Sequence, residues 1–404
     1  MFPHRHPTPS NPVDPGPAPL RILYILRGLV PPPLNARRDA CWHLSHVLKG
    51  DVLLPVWWDT AEAVHQNLGP QSYPVHTVGR FHYHFLLASR FRGIRRRVEM
   101  FRFFLRMGRR LHRENHYHCI VTYGYMLTAL AGVLLKLLTG AKLIVEIVTD
   151  PRSIYTSRSP SPTWAGRFTK LLSDILLHLT VLACDRVELR YPGQLASYPL
   201  LRRVPASVLH GFVPVSEIVP QPEATERYVL LVGYPWYVKG ADLLIQAFRR
   251  IAAEFPDVKL KLLGHYPDRT ELDALAAGCG QIEFLKARPN PEALKIIAGA
   301  LILAVPSRTE GVARVLIEGM SARRAVIASD VGGIPHYVRH GQNGLLFRSG
   351  DVEELAEGLR TLLLDDDLRQ RLADNGFQLA RTRLNERVYA EEFHRMVTLT
   401  VSPR

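Results

Sequence analysis

The strongest indication of the fold is the stretch Glu310-Gly-Val-Ala-Arg-Val-Leu-Ile-Glu318, which follows the apolar run Leu301-Ile-Leu-Ala-Val-Pro-Ser307. The apolar run predicts a buried strand. The Pro-Ser pair at its end and Gly311 predict a turn, and residues 312–323 predict a helix. Strand, turn and helix in this order are the repeating unit of a parallel α/β sheet.

The start of that helix predicts an anion-binding site. Helix N-termini carry free N–H groups and the positive end of the helix dipole, so they bind phosphates. Glu310 precedes this site and Glu318 follows it, roughly 12 Å apart along the axis if the segment were wholly helical. Carboxylates accept strong hydrogen bonds from hydroxyls. A sugar joined through a diphosphate to a ribose would therefore present hydroxyls at both ends of the segment.

Two further motifs follow in order, Ser329-Asp-Val-Gly-Gly333 and Asn343-Gly-Leu-Leu-Phe347. With the Glu310 segment, they make the chain resemble the GT4-type glycosyltransferases, which have the GT-B fold. The resemblance is strong from about residue 228 to residue 364 and weaker over residues 21–215. It is carried by the whole string of motifs, since either glutamate alone would favour an ordinary helix-cap or surface residue.

The resemblance implies roles for individual residues. Glu310 matches the catalytic glutamate that contacts the donor sugar, and Glu318 matches the one that contacts the nucleotide ribose. Backbone N–H groups of the intervening residues would bind the diphosphate of the donor. These donor-binding residues are Gly311, Val312, Ala313, Arg314 and Val315.

A second donor segment runs from Gly233 to Gly240 with the sequence Gly-Tyr-Pro-Trp-Tyr-Val-Lys-Gly. It resembles a family segment of Gly-Arg, four residues and Lys-Gly, which implies that its two glycines and Lys239 lie at the diphosphate. Tyr234 replaces the arginine and carries no charge, so Arg314 is the nearest candidate to substitute for it. A lysine at a helix start opposes the helix dipole, which favours anion binding over an ordinary exposed lysine.

The N-terminal half opens with a Rossmann-like pattern. The run Arg21-Ile-Leu-Tyr-Ile-Leu26 predicts a strand, Gly28 a donor-binding loop, and residues 36–48 a helix. Further on, Val148-Thr-Asp150 stands where many family members carry His-Gly-Asp, which makes the aspartate a second candidate catalytic residue but leaves the histidine absent. His336 likewise stands where the family usually has Glu.

Two series of alternating strands and helices predict an α/β protein with two doubly wound, Rossmann-like domains. The resemblance implies that these domains face a central cleft, in the GT-B arrangement. The predicted parts are a disordered, proline-rich tail over residues 1–20, an acceptor domain over 21–215, a donor domain over 216–382, and a helix that crosses back to the first domain over 383–404.

Composition restricts the partners and the compartment. The formal charge of +14 and the pI near 9.8 predict anionic partners, but no recognised nucleic-acid module is present, so nucleic acid is not expected. The four cysteines form no CxxC pair, which favours the reducing cytoplasm over a disulfide framework or a zinc site. Charged residues and Gly140 interrupt the apolar residues 127–148, which predicts a buried helix and strand rather than a membrane span.

Residues 90–114 predict a basic amphipathic helix, since they hold ten arginines against two glutamates. Such a helix binds an anionic membrane surface, which would place the protein at the inner face of the membrane. The alternative is a helix packed on the sheet with a solvated basic face. The predicted apolar side consists of Phe91, Ile94, Val98, Phe101, Leu105 and Leu111.

The resemblance implies a retaining, metal-independent glycosyltransferase that moves a sugar from a nucleotide-sugar donor to a glycan or lipid-linked acceptor. The nucleotide sugar is a substrate, and no cofactor is expected. Residues 365–367, Asp-Asp-Asp, superficially match a metal-binding DxD motif, but their place between two helices predicts a helix cap instead. The departures at Tyr234 and Val148 keep an alternative open, a catalytically weak or inactive nucleotide-sugar-binding protein with a scaffold role.

Overall fold

The computed structural model describes residues 19–26, 44–56, 58, 60–68, 74–148, 164–222 and 225–402. Gly28, Asp150 and residues 1–18 of the predicted tail lie outside this part of the chain. So does most of the predicted helix over residues 36–48. Residues 44–48 are described, and there the prediction is wrong, because none of them is helical and Leu48 begins a strand that pairs with Leu20 in the buried sheet.

The first sheet has eight strands in the order β3-β4-β2-β1-β5-β6-β7-β8. Neighbouring strands are parallel except for the antiparallel pair β3 and β4. Strand β4 was not predicted from the sequence, although polar residues alternate with apolar ones over residues 81–85. The strands are β1 Leu20–Ile25, β2 Leu48–Val56, β3 Val75–Val78, β4 Phe81–Leu87, β5 Cys119–Tyr123, β6 Lys142–Ile147, β7 Arg186–Leu189 and β8 Ala206–Val208.

The second sheet has six parallel strands in the order β11-β10-β9-β12-β13-β14. Helices cover both sheets, and the predicted α/β class with two Rossmann-like domains is confirmed. The strands are β9 Arg227–Val232, β10 Val258–Gly264, β11 Ile282–Lys286, β12 Ile302–Val305, β13 Ala325–Ser329 and β14 Leu345–Phe347.

The described helices continue the alternation seen in the sequence. Those around the first sheet are α1 Ala61–Leu68, α2 Gly93–Asn115, α3 Leu127–Thr139, α4 Trp164–Ala183 and α5 Gly193–Ser197. Those that follow are α6 Trp236–Lys239, α7 Ala241–Ile251, α8 Thr270–Ala276, α9 Asn290–Gly299, α10 Arg314–Ser321, α11 Val352–Leu364, α12 Asp366–Arg383 and α13 Glu386–Val401.

The C-terminal helix α13 packs on the first sheet although it follows the second domain in the chain. Its buried side chains join the core beneath β1, β2 and β4, and its contacts reach β5 and β6. These side chains are Tyr389, Phe393, Met396 and Val397. The end of the chain therefore ties the two domains together.

Helix α2 confirms the helical periodicity and, at Phe101, Leu105 and Leu111, the predicted apolar side, but not at its first turns. Met100, Phe104 and Leu111 are buried, whereas Ile94 is 80% exposed and Val98 is 43% exposed. Burial therefore begins at Met100, because only the later turns of α2 pack against the core of the first domain. Among the described helices, none combines the length and the apolar character needed to cross a membrane.

Candidate active site

Three loops meet at the carboxyl edge of the second sheet, after β9, β12 and β13. Ser329 ends β13 and donates a hydrogen bond from its Oγ to the carbonyl of Ser307 at 2.6 Å. The Ser307 hydroxyl in turn donates to Oε1 of Glu310 at 3.3 Å. Both serines are fully buried. They therefore hold the Glu310 loop to the neighbouring strand end.

The glycine pair of the Ser-Asp-Val-Gly-Gly motif lets another backbone approach the same loop. A Cβ at Gly332 would lie 1.7 Å from the carbonyl oxygen of Glu310, and one at Gly333 would lie 2.1 Å from that of Gly311. Gly332 also has a φ of +54°, in the left-handed region that favours glycine. The motif thus supports the segment that carries the candidate catalytic residue.

Lys239 lies directly beside Glu310, and its Nζ donates to Oε1 of that carboxylate. Gly233 makes room for this arrangement, because a Cβ there would lie 3.0 Å from Cγ of the lysine. Gly240 has a φ of +68°, and a Cβ there would lie 1.9 Å from the carbonyl oxygen of Pro306. The two glycines of the donor segment therefore bring Lys239 against the Glu310 loop.

A bidentate ion pair fixes the same two loops from the other side. The Arg308 guanidinium donates to both carboxylate oxygens of Asp242, at 2.8 and 2.5 Å, and lies 4.0 Å from the ring centre of Tyr237. Its backbone N–H donates to the carbonyl of Val238 at 2.9 Å. Burial is the largest single influence and lowers the pKa of Arg308, but the hydrogen bonds and the charge of Asp242, with smaller contributions from Tyr237 and Glu271, together raise the pKa overall. Arg308 thus links the loop after β12 to helices α6 and α7.

Helix α10 begins at the cleft. Its N-cap residue is Ala313, and no side chain caps its first turn. Glu318 lies one turn further on and is only 5% exposed, although surface helices usually keep glutamates in water. Ala313 and Val315 pack at the core of the second domain. The helix therefore combines backbone donors at its start with a buried carboxylate behind them.

A cavity of about 230 Å³ lies between the two domains. The second domain contributes Glu310, Gly311, Val312 and Arg314 to its lining. The first domain and α13 contribute Tyr123, Val148, Arg190, Gly211, Phe212 and Tyr389. The strand ends of both sheets thus face this space, as parallel α/β sheets arrange their ligand sites.

Arg190 is a site residue that the sequence interpretation missed. Its guanidinium binds Glu146 at 2.9 Å and Glu188 at 2.8 Å, both carboxylates being fully buried. Gln194 accepts the Arg190 backbone N–H at 2.6 Å. A buried charge needs such partners. The signal in the sequence was its position, since Arg190 directly follows the buried strand β7 and therefore lies at the carboxyl edge of the sheet.

Tyr337 joins the domains behind the cavity. The Gly211 N–H donates to its hydroxyl at 2.9 Å, and the hydroxyl lies 3.4 Å from the carbonyl oxygen of Arg190. The adjacent His336, at the position where the resemblance leads us to expect Glu, lies with its ring 5.7 Å from that of Tyr191. Burial, followed by the neighbouring His210, lowers the pKa of His336. Both residues therefore lie at the domain interface.

Tyr234 does not take over the role of the missing arginine by position. It is 49% exposed, and its ring lies 5.5 Å from that of His265. Arg314, the predicted substitute, does line the interdomain cavity.

The Asp365 side chain accepts from the N–H of Leu368 and caps α12, as predicted. In the part of the chain that the structure describes, no three His, Cys, Asp or Glu side chains cluster to hold a metal ion.

The loops that carry Gly233, Lys239, Gly240 and Glu310 therefore meet. Glu310, which Lys239 contacts, lines the interdomain cavity together with Arg314 at the uncapped start of α10. This set suits a ligand that carries both a diphosphate and hydroxyl groups, because the cation and the helix start bind phosphate oxygens and the carboxylates accept from hydroxyls. Gly28 and Asp150 lie outside the described residues, so their roles stay predictions.

Two Rossmann-like domains that face each other across a cleft at their strand ends define the GT-B class of proteins. Residues 217–379 match the family of glycosyl transferases group 1. The match confirms the predicted resemblance to group 1 glycosyltransferases.

Solved structures share the fold over nearly the whole chain. Sucrose-phosphate synthase from Thermosynechococcus elongatus has a TM-score of 0.76 and 18% identity, covering 94% of this chain and 98% of that one. Anabaena HepE in complex with UDP-glucose has a TM-score of 0.67 and 16% identity, covering 94% and 100%. These similarities confirm the predicted GT-B architecture.

Sequence relatives are similar mainly over part of their length. An uncharacterized glycosyltransferase of Methanocaldococcus jannaschii is 32% identical over 161 residues, which span 39% of this chain and 44% of that protein. The chain thus spans less than half of the length of this relative, so its own donor and acceptor must be argued from the site.

Proposed function

We propose that the protein is a retaining, metal-independent glycosyltransferase that transfers a sugar from a nucleotide-sugar donor to a glycan or lipid-linked acceptor. The observation that carries the proposal is the contact of Lys239 with Glu310 beside the uncapped start of α10, on the wall of the interdomain cavity. The complex of Anabaena HepE with UDP-glucose supports a nucleotide sugar as the donor.

In this proposal the donor diphosphate binds at the start of α10. Lys239 and the backbone N–H groups of residues 311–315 neutralise the charge that develops on it as the bond to the sugar breaks. Glu318 holds the ribose and Glu310 orients the sugar. The acceptor approaches from the first domain, whose strand ends form the opposite wall. Enclosure between two domains excludes water and limits hydrolysis of the donor. No further cofactor takes part.

Lys239 can serve either Glu310 or a phosphate. A diphosphate carries more negative charge than one carboxylate and would draw the ammonium group away from Glu310. The carboxylate is then free to accept a hydroxyl of the sugar. The ion pair therefore supports a role in which donor binding frees the catalytic carboxylate.

The first experiment is a thermal-shift screen of the purified protein with UDP, GDP and ADP sugars. We expect one nucleotide series to raise the melting temperature, since a ligand that binds only the folded state stabilises it. A protein that responds to none of these sugars, nor to the free diphosphates, would contradict the proposed donor site.

We predict that Glu310→Gln lowers kcat by about a hundredfold or more, because it removes the charge that orients the reacting sugar. The affinity for the nucleoside diphosphate should stay within about threefold, since Lys239 and α10 remain. Release of nucleotide from the donor and calorimetry with the diphosphate measure the two quantities. The control is Glu292→Gln on the exposed side of α9, and wild-type turnover by the Glu310 variant would reject the role.

Two features favour the second candidate, a binding protein that has lost catalysis. The exposed Tyr234 stands where the resemblance leads us to expect a phosphate-binding arginine, and Val148 lines the cavity where a histidine is expected. Such a protein would bind the nucleotide sugar without consuming it. Donor binding combined with neither transfer nor hydrolysis by the purified protein would favour this scaffold role.

A further inference from the structure

Helix α4 exposes a stripe of large apolar side chains along its outer side. Four of them, spaced four, four and three residues apart, lie on one helical face: Leu171, Ile175, Leu179 and Leu182 are 58%, 47%, 56% and 61% exposed. Leu172 beside them is 45% exposed. The opposite side is buried, with Ser173, Leu177 and Val181 in the core of the first domain. Such a stripe marks an interaction surface.

The stripe continues onto α3. Leu137 and Leu138 near the end of α3 are 75% and 58% exposed. The two helix ends lie side by side, because Nζ of Lys136 donates to the carbonyl of Ala183, the last residue of α4, at 2.8 Å. The exposed leucines at the ends of both helices therefore lie close together.

Helix α2 lies on the other side of α3 and adds positive charge. The two helices touch where Gly108 faces Leu135, since a Cβ on the glycine would lie 2.7 Å from the leucine Cδ1. The two glutamates of α2 bind Arg102 and Arg110. Within the described part of the chain, no salt bridge involves the exposed arginines Arg95, Arg97, Arg106, Arg109 and Arg113.

We propose that the outer faces of α2, α3 and α4 form one docking face for an anionic lipid bilayer. The leucines of α3 and α4 would enter the boundary between head groups and acyl chains, and the arginines of α2 would bind lipid phosphates. The exposed Ile94 and Val98 place apolar side chains among those arginines, as in helices that lie in a membrane interface. A protein or a second copy would need carboxylates opposite this face, whereas an anionic leaflet supplies the complementary charge everywhere.

This inference concerns a surface away from the donor residues and does not depend on the proposed activity. It is tested by co-sedimentation of the full chain with vesicles of phosphatidylcholine, alone or mixed with phosphatidylglycerol. We expect binding to the mixed vesicles only, and weaker binding as the salt concentration rises.

Two variants separate the apolar and the charged contributions. Ile175→Gln with Leu179→Gln should weaken vesicle binding by about tenfold or more, because both half-exposed side chains lose their apolar contact with lipid. Arg106→Gln with Arg109→Gln and Arg113→Gln should weaken it by about a hundredfold, at roughly fivefold for each arginine.

The controls change the same residue types on the second domain. Val219→Gln with Leu364→Gln removes two side chains that are 68% and 70% exposed. A triple change of Arg269, Arg288 and Arg348 to Gln lowers the net charge by the same amount as the α2 variant. Both controls should leave vesicle binding within about twofold. Unchanged nucleotide binding and melting temperature would show that all four variants fold.

Several results would overturn the proposal. Equal binding to neutral and mixed vesicles, or none to either, would remove the anionic bilayer as the partner. If the α4 variant left vesicle binding intact and instead converted a dimer into a monomer in sedimentation velocity, the stripe would be an interface between copies. A loss of donor binding with intact vesicle binding would contradict the proposed function and leave this inference standing.

Discussion

Lys239 and Glu310 are separated by 71 residues in the chain, yet their side chains form an ion pair. The Glu310 side chain is only 9% exposed, so its charge interacts more strongly with neighbouring groups than a solvated carboxylate does. The Ser307 hydroxyl and Lys239 both bind the same oxygen. The remaining oxygen can accept a further donor, as binding of a sugar hydroxyl requires.

Glu318 is a second buried carboxylate of the candidate site. We predict that Glu318→Ala lowers the affinity for the preferred nucleoside diphosphate by about 10- to 100-fold, because hydrogen bonds to a charged acceptor contribute about 1.5–3 kcal/mol. Isothermal titration calorimetry measures the change. The control is Glu357→Ala, an exposed glutamate on α11, and an unchanged affinity in the Glu318 variant would reject its assignment to the ribose.

At the scale of elements, the site depends on loops that approach each other too closely for side chains. The backbone at residues 332–333 packs on the backbone at residues 310–311, and Gly240 packs on the carbonyl of Pro306. Three βα loops are thereby held at fixed distances from one another. Fixed loops would hold the N–H groups that we propose bind the diphosphate in position before the ligand arrives, which reduces the entropy lost on binding.

Gly332→Ala tests this packing. Its Cβ would collide with the carbonyl oxygen of Glu310 at 1.7 Å, so we expect a loss of about 3 kcal/mol or more in stability together with weaker donor binding. Gly350→Ala is the matched control, because its φ of +87° is also positive but a Cβ there meets nothing within 4 Å. The control should lose only about 1 kcal/mol. Urea unfolding compares the variants, and equal losses would contradict the close approach.

At the scale of the whole molecule, α13 connects the domains across the cleft. Tyr389 lines the interdomain cavity and stacks on Phe212 with ring centres 4.4 Å apart. Phe393 is 1% exposed and meets the ring of Tyr24 in β1 at 6.4 Å. The hydroxyl of Tyr337 adds a second connection through Gly211 and Arg190. Side chains of α13 and of Tyr337 therefore connect the two walls of the cavity.

We predict that Phe393→Ala destabilises the first domain by about 3–5 kcal/mol, because truncation of a buried phenylalanine leaves a cavity. A domain of this size should then melt roughly 10 °C lower. Phe393→Leu keeps most of the volume and should cost less than about 1.5 kcal/mol. Differential scanning calorimetry compares them, and a wild-type melting profile for the alanine variant would show that α13 does not stabilise the first sheet.

Local patterns in the sequence were enough to predict the alternation of strands and helices in the second domain, although not β14. The periodicity of β10 and α10 and the Asp365 cap depend on neighbours a few residues away, so a single sequence contains the information. The motif around Glu310 likewise predicted the fold class and the family, because strand, turn and helix follow one another directly in the chain.

Long-range packing settled what those patterns left open. The sequence contains Arg190, but only the pairing of β7 beside β6 brings it to Glu146 and into the cavity wall. Helical spacing placed Ile94 and Val98 on the apolar side of α2, and they lie exposed because the sheet covers only the later turns. Burial is set by which surfaces meet in three dimensions, and residues distant in the chain supply those surfaces. The contact between Lys239 and Glu310, the cleft and the proposed docking face are therefore properties of the folded molecule.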